Sequence, residues 1–165
     1  MKIRKAAKED VPKILPVWRE LMELHARLDP FYTCRESAEK LFAKYVTDNI
    51  HDPKACVLTA ETDGRVVGYC QGMIGKHPPV LEITEFGQIA DFAVLEAYRR
   101  QGIGQQMLEK MFEWFWARGL LRVEVRCSLH NEISRSFWRK MGFEPYVETL
   151  FRRLPEQLSN RKGKP

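Results

Sequence analysis

The sequence predicts one α+β domain, a mixed α/β arrangement in which a single mixed sheet carries helices on both faces. Three observations carry that reading. Apolar residues change period along the chain, from helical spacing to strand-like runs and back. Turn residues separate those segments at Asp63-Gly64, at Gly102-Ile103-Gly104 and at Gly142. The 165 residues hold no internal repeat, low-complexity block or Gly/Ser linker before residue 154. One core is therefore expected over 1–154, followed by a basic tail at 155–165 that is expected to be poorly ordered.

The expected element order is β-α-α-β-β-β-α-β-α-β. Residues 2–6 read as a short strand. Behind Asp10 as a cap, Val11, Ile14, Leu15, Trp18, Leu21, Met22, His25 and Leu28 recur at helical spacing. Pro12 suits a first turn, whereas Pro16 lies deeper and should kink or delay the helix; Leu28-Asp29-Pro30 ends it. A second helix places Ala38, Leu41, Phe42, Tyr45 and Val46 on one face. The runs ACVLTAET and RVVGYCQGMI then read as strands of a hairpin turning at Asp63-Gly64. The stretch KHPPV breaks regular structure, and EITEFGQIADFAV is a third long strand with Gly87 marking a bulge. After the glycine stretch comes a helix with Met107, Leu108, Met111, Phe112 and Phe115 on its apolar face. LLRVEVRC is a strand, NEISRSFWRKMG a helix stopped by Gly142, and YVETLFRRL a last strand.

Composition narrows the function classes. No apolar run approaches the roughly 18 residues of a membrane span, and the opening MKIRKAAKED lacks the apolar stretch of a secretory leader. Cys34, Cys56, Cys70 and Cys127 are scattered with no CxxC pair, so no metal site is expected. Free thiols in a reducing cytoplasm are the expectation. The net charge of +5 is uneven. Residues 1–98 hold thirteen basic against fifteen acidic side chains, and residues 99–165 hold fourteen against seven. The tail SNRKGKP supplies three of the later positive charges, so solvated surface and an anion site in the second half remain open readings. No stacking motif accompanies the basic half, which argues against a nucleic-acid partner.

The stretch RRQGIGQQM concentrates that charge at the start of a helix. A helix N-terminus leaves backbone N–H groups unpaired and carries partial positive charge, and glycine lets an anion approach the backbone. Arg99 and Arg100 add donors. A dinucleotide fingerprint needs a third glycine where Met107 stands, and a P-loop needs Gly-Lys-Ser/Thr where Gln105 follows Gly104. A phosphate site and a merely tight turn are the remaining readings.

Two motifs at fixed order decide between them. DFAVLEAYRRQGIGQQML followed by NEISRSFWRKMGFEPY resembles the GNAT superfamily of acyl-CoA-dependent N-acetyltransferases. Arg99, Gly102 and Gly104 match its Arg/Gln-x-x-Gly-x-Gly/Ala signature. Asn131, Phe137, Gly142 and Phe143 match its second block, and IRKAAKEDVPKI is similar to the family's usual start. The resemblance covers residues 2–154. It implies a mostly antiparallel sheet and acetyl-CoA as acyl donor, with the pyrophosphate cradled by Arg99, Arg100, Gln101, Gly102, Ile103, Gly104 and Gln105. It implies also a pantetheine arm pairing like a strand with Phe92, Ala93 and Val94, met by Asn131 from the other side, with Phe137 and Trp138 beside the cofactor.

Acyl transfer to nitrogen needs a neutral amine. A lysine-like amine of pKa about 10.4 is roughly 0.1% neutral near pH 7.4, a scarcity worth about 4 kcal/mol unless a base removes the proton. Glu85 and Asp91, both on the third long strand, are the candidate bases or proton relays; an exposed Glu85 and a structural Asp91 are the bland alternatives. The family usually protonates the leaving thiolate with a Tyr at the position held here by Trp138, whose indole is no usable acid. Ser134, Ser136 and Tyr146 are candidate substitutes, and Trp138 otherwise packs on the cofactor or core.

The resemblance places the acceptor between the first two helices and the KHPPV loop. His25, Asp29 and Tyr32 are candidate acceptor contacts, with a core role for His25 the alternative. A small-molecule amine is the leading acceptor; a protein N-terminus or lysine, and a non-catalytic acyl-CoA-binding module, are the other readings. The aromatics Phe112 to Trp116 exceed what one buried face needs, which leaves extra core or a homodimer surface open. One strand after Gly142, where the family often has two, leaves a shorter sheet edge or one completed by a partner.

Overall fold

The computed structural model describes residues 1–153. Its sheet has five strands in the order β1-β2-β3-β4-β5: β1 (Lys2–Lys5), β2 (Ala55–Thr62), β3 (Arg65–Lys76), β4 (Glu85–Val94) and β5 (Val123–Val125). Every pairing is antiparallel except β4 with β5, which is parallel. The mixed, mostly antiparallel sheet expected from the sequence is thus present. Helices α1 (Val11–Leu28) and α2 (Ala38–His51) precede the hairpin, α3 (Ile103–Trp116) follows β4, and α4 (Glu132–Lys140) follows β5.

The two helical layers are readable from the strand alternation. Tyr69 on β3 meets Phe42 of α2 edge-on, with ring centroids 6.0 Å apart, so the odd-numbered residues of β3 face α1 and α2. On the opposite face, a Cβ at Gly87 would fall 2.7 Å from the Phe115 ring of α3. Glycine at this position therefore permits the close approach of helix and sheet. Val17, Val46, Val67 and Cys70 fill the core between these layers and are at most 1% exposed.

Several expectations change. Asp10 does cap α1 by position, but its carboxylate takes 2.5 and 2.9 Å bonds from Arg4 and a 2.8 Å bond from the Ala7 amide. Those donors, the Arg4 guanidinium first, lower its pKa to about 2. Asp10 therefore ties β1 to the start of α1 rather than accepting from a first-turn amide of the helix. α1 runs unbroken through Pro16; the carbonyl that loses its amide partner belongs to Pro12, in the first turn. The helix stop at Gly142 is as expected. Its φ of +85° sits where Gly142 N–H bonds Arg139 and Phe143 N–H bonds Trp138, both at 3.0 Å.

Two expectations are overturned. The bulge in β4 lies at Ala90, not Gly87: Gln71 opposes Asp91 and Gly72 opposes Ile89, so Ala90 has no partner across the ladder. The last strand read from YVETLFRRL is not formed over its described residues 146–153. Strand β5 offers only three residues, and Tyr146, Val147, Leu150 and Phe151 are 72–82% exposed, buried against nothing that would hold a ladder. The basic tail at 155–165 lies outside the described residues.

Candidate functional site

β4 is the axis of the site because its two halves have different neighbours. Over Gly87–Ile89 it pairs with β5 at Val123–Val125; beyond Ile89 the two strands have no further register. Asp91–Val94 therefore keep β3 on one side and open a wedge on the other. The wedge is closed from below by aromatic rings. Phe92 lies 5.3 Å from Phe137 and 5.1 Å from Trp138, which in turn lies 5.1 Å from Phe143.

The glycine turn stands at the end of β4. Gly102 caps α3 with φ +78° and without a side-chain hydrogen bond. The first-turn amides of Ile103, Gly104 and Gln105 have no intrahelical acceptor, and no acidic side chain stands in that turn. Arg100 is held at φ +64°, a left-handed conformation that costs a non-glycine residue about 1 kcal/mol or more. It is exposed and, among the described residues, has no ion-pair partner. Arg99 behaves differently. Its Nε donates to the Val94 carbonyl and its Nη2 to Glu20 of α1, both at 3.0 Å. Arg99 is a strut that fixes the turn, whereas Arg100 is exposed beside it. Gly104 also has a packing reason: a Cβ there would meet Phe137 at 3.1 Å and Phe92 at 3.4 Å. Gln101 donates weakly to Ala97, and Gln105 to Glu109 one turn on.

The second motif is tied up internally. Asn131 is 5% exposed and its Oδ1 accepts from the Ser134 amide at 3.0 Å, capping α4. Trp138 is 6% exposed and its indole N–H donates to Ser134 Oγ at 2.9 Å; the Cys127 thiol donates to the same oxygen at 3.2 Å. Trp138 is thus a core residue under the wedge. Ser136 is exposed on α4. Tyr146 stacks under Arg122 at 4.2 Å, beside the start of β5 and roughly 13 Å along β4 from Asp91.

The bulge determines what Asp91 faces. A residue two past Ile89 would ordinarily share its face, toward α3. The extra residue Ala90 turns Asp91 onto the α1–α2 face, opposite Gln71. There Gln71 Nε2 donates to Asp91 Oδ2 at 3.0 Å. The carboxyl pKa is raised to about 6 by burial, with the Gln71 hydrogen bond opposing. Phenols share this face. The Tyr69 pKa is pushed well above its ordinary value, first by burial and then by the Asp91 charge; Tyr45 of α2 is raised by the same two causes in the same order. Glu85 is exposed, six residues or about 20 Å back along the strand, and does not reach this cluster.

At the end of α1, His25 and Tyr32 are brought together with rings 5.3 Å apart, and burial lowers the His25 pKa. Asp29 instead closes a turn, accepting from the Phe31 amide at 2.9 Å. Sequence reasoning missed Gln71 and Tyr69 and placed the bulge at Gly87, three residues early. A lone glutamine inside the apolar run VVGYCQGMI was the available signal.

The sequence profile of the acetyltransferase (GNAT) family matches residues 18–143. An uncharacterized N-acetyltransferase of Mycobacterium tuberculosis is 29% identical over 111 residues, 67% of this chain and 64% of that protein, so the match spans less than two thirds of its length. An aminoglycoside N(6')-acetyltransferase type 1 of Klebsiella aerogenes is 24% identical over 134 residues, 81% of this chain and 88% of the other. A Clostridium acetobutylicum acetyltransferase crystallised with acetyl-CoA superposes with a TM-score of 0.76 at 17% identity, over 92% of this chain and 95% of that one. At that identity the likeness is one of fold.

Proposed function

The chain belongs to the acetyltransferase (GNAT) family, and we propose that it transfers the acetyl group of acetyl-CoA to the primary amine of a small molecule. The observation that carries this reading is the placement of Asp91 at the bulge of β4, next to the point where β4 leaves β5. The amides of Ile103, Gly104 and Gln105 and the Arg100 guanidinium suit a pyrophosphate. The outer edge of Phe92 and Ala93, with Asn131 across the wedge, suits the amide-bearing arm of the same substrate. The Val94 carbonyl already accepts from Arg99, so it contributes less than its neighbours.

Asp91 acts as the base. With its pKa near 6 it is mostly ionised at pH 7.4 and takes a proton from the bound ammonium, directly or through water, leaving a neutral amine. The neutral amine nitrogen bonds to the thioester carbonyl carbon, the C–S bond breaks, and the second N–H proton leaves the new amide to solvent. Trp138 cannot serve as acid, and Ser134 is occupied by two donors. The thiolate therefore leaves without a dedicated acid and takes its proton from solvent, a modest demand for a group whose ordinary pKa is about 8.5. The similarity to an aminoglycoside acetyltransferase, and the His25–Tyr32 pair at the end of α1, support a small-molecule amine as acceptor.

Free thiols at exposed Cys34 and half-buried Cys127 support a reducing compartment. Trp116, 75% exposed while Trp114 and Phe115 pack inward, supports a homodimer contact on α3; a doubled molecular mass in light scattering that Trp116→Ser halves is the expected result. The function itself is tested by thiol release from acetyl-CoA over aminoglycosides, polyamines, amino acids and peptides with free N-termini or lysines. Release with small amines supports the reading, and release with peptides alone moves the acceptor to protein. Acetyl-CoA binding with no release over the whole panel would make the chain a binding module.

A further inference from the structure

We propose that Gln71 is the positioning residue of Asp91: its buried amide fixes the carboxylate on the acceptor side of the bulge and holds it in the form that accepts a proton. The proposal rests on Asp91 being the base. Gln71 is 0% exposed in the middle of β3, and its Nε2 lies 3.0 Å from Asp91 Oδ2. The amide orientation follows from chemistry, because an ionised carboxylate only accepts. Its other end, Oε1, has no partner among the described residues, and neither do the Tyr69 hydroxyl nor Thr59 Oγ1 on the same sheet face. A buried amide with one end unsatisfied is a poor choice for packing alone, since an apolar side chain of similar shape avoids that desolvation cost. The bond to Asp91 is what Gln71 supplies.

A neutral donor suits this position better than the alternatives. An arginine or lysine would lower the proton affinity of Asp91 until it no longer served as a base; a leucine would leave burial unopposed and raise that affinity further. The titratable groups facing Asp91 are the Tyr45 phenol from α2 and the Tyr69 phenol from β3, with the Cys70 thiol behind them. All three are raised, hence neutral, and His25 on α1 is shifted by burial alone. The Gln71 amide is therefore the chief polar brake on the carboxyl.

The test follows the Asp91 carboxyl by carbon-13 chemical shift through a pH titration of the full chain. With Gln71→Met the midpoint should rise by about one pH unit, the scale of a lost hydrogen bond to a charged group. The acid limb of kcat/KM, taken with whichever amine turns over in the panel, should move with it while KM for acetyl-CoA stays within about twofold. Gln71→Leu repeats the measurement should the methionine variant fail to fold. An unchanged midpoint, or an equal loss of rate at every pH with the limb in place, would overturn the proposal. Full activity of Asp91→Asn would sink the base assignment instead, and the carboxyl titration would still decide whether Gln71 sets that group.

Discussion

The proposed donor and acceptor halves of the site along β4 are built by different means. The donor half, from the wedge to the glycine turn, is made of backbone: amides without acceptors, a left-handed Gly102 and an exposed Arg100. The acceptor half is made of side chains that the bulge at Ala90 brings together, Asp91 against Gln71 below Tyr45. A backbone site depends on local sequence and tolerates substitution elsewhere. A side-chain site depends on register, and one residue more or fewer in β4 would dismantle it.

The largest expected effect separates the halves through stability. Asp91 is ionised at neutral pH in a place that favours its neutral form. Its folded pKa of about 6 lies above the ordinary carboxylate value, so folding is most favoured where the group is protonated. That contribution is present below pH about 4 and is lost as the pH rises through about 6. Asp91→Asn should therefore stabilise the fold at pH 8 by about 2–3 kcal/mol, several degrees in thermal midpoint, and the gain should vanish at pH 4. A melting series across pH checks both the size and the sign. Such a variant would gain stability where the proposed base is lost, a trade expected of a buried functional carboxylate.

Arg100→Glu should act on the other half. Charge reversal at an exposed donor is expected to raise KM for acetyl-CoA about tenfold with kcat nearly unchanged, and the penalty should shrink at high salt. Steady-state kinetics at two ionic strengths measures it. An equal fall in kcat would show that Arg100 serves the chemistry rather than the donor. The smallest effect belongs to Glu85→Ala, where kcat/KM should stay within about twofold because the exposed carboxylate lies about 20 Å from Asp91.

The glycine turn of the proposed donor half was legible in the sequence because its signals are local. Glycine at 102 and 104 and the arginines before them form one short motif, and each helix and the β2–β3 hairpin follow from periodicity and turn residues. The split between Arg99 and Arg100 was not legible, since Glu20 reaches Arg99 from another helix. The acceptor half needed the register of β3 against β4, and a bulge at an alanine carries no compositional mark. Gly87 drew that assignment because glycine is the usual sign, whereas its real reason is the Phe115 ring beside it. The segment 146–153 shows the opposite failure. Its β-rich composition predicts a strand, but a strand needs a neighbour, and β5 is only three residues long.

Acetyl-CoA binding and thiol release measured side by side on Asp91→Asn test the division of labour most directly. Calorimetry should give wild-type affinity for acetyl-CoA, because the donor half is intact, while release with the best amine falls about 10²–10⁴-fold, as loss of a general base would have it. Wild-type turnover would contradict the account by removing Asp91 from the chemistry. Lost binding would contradict it as well, by showing that the two halves of β4 are one site.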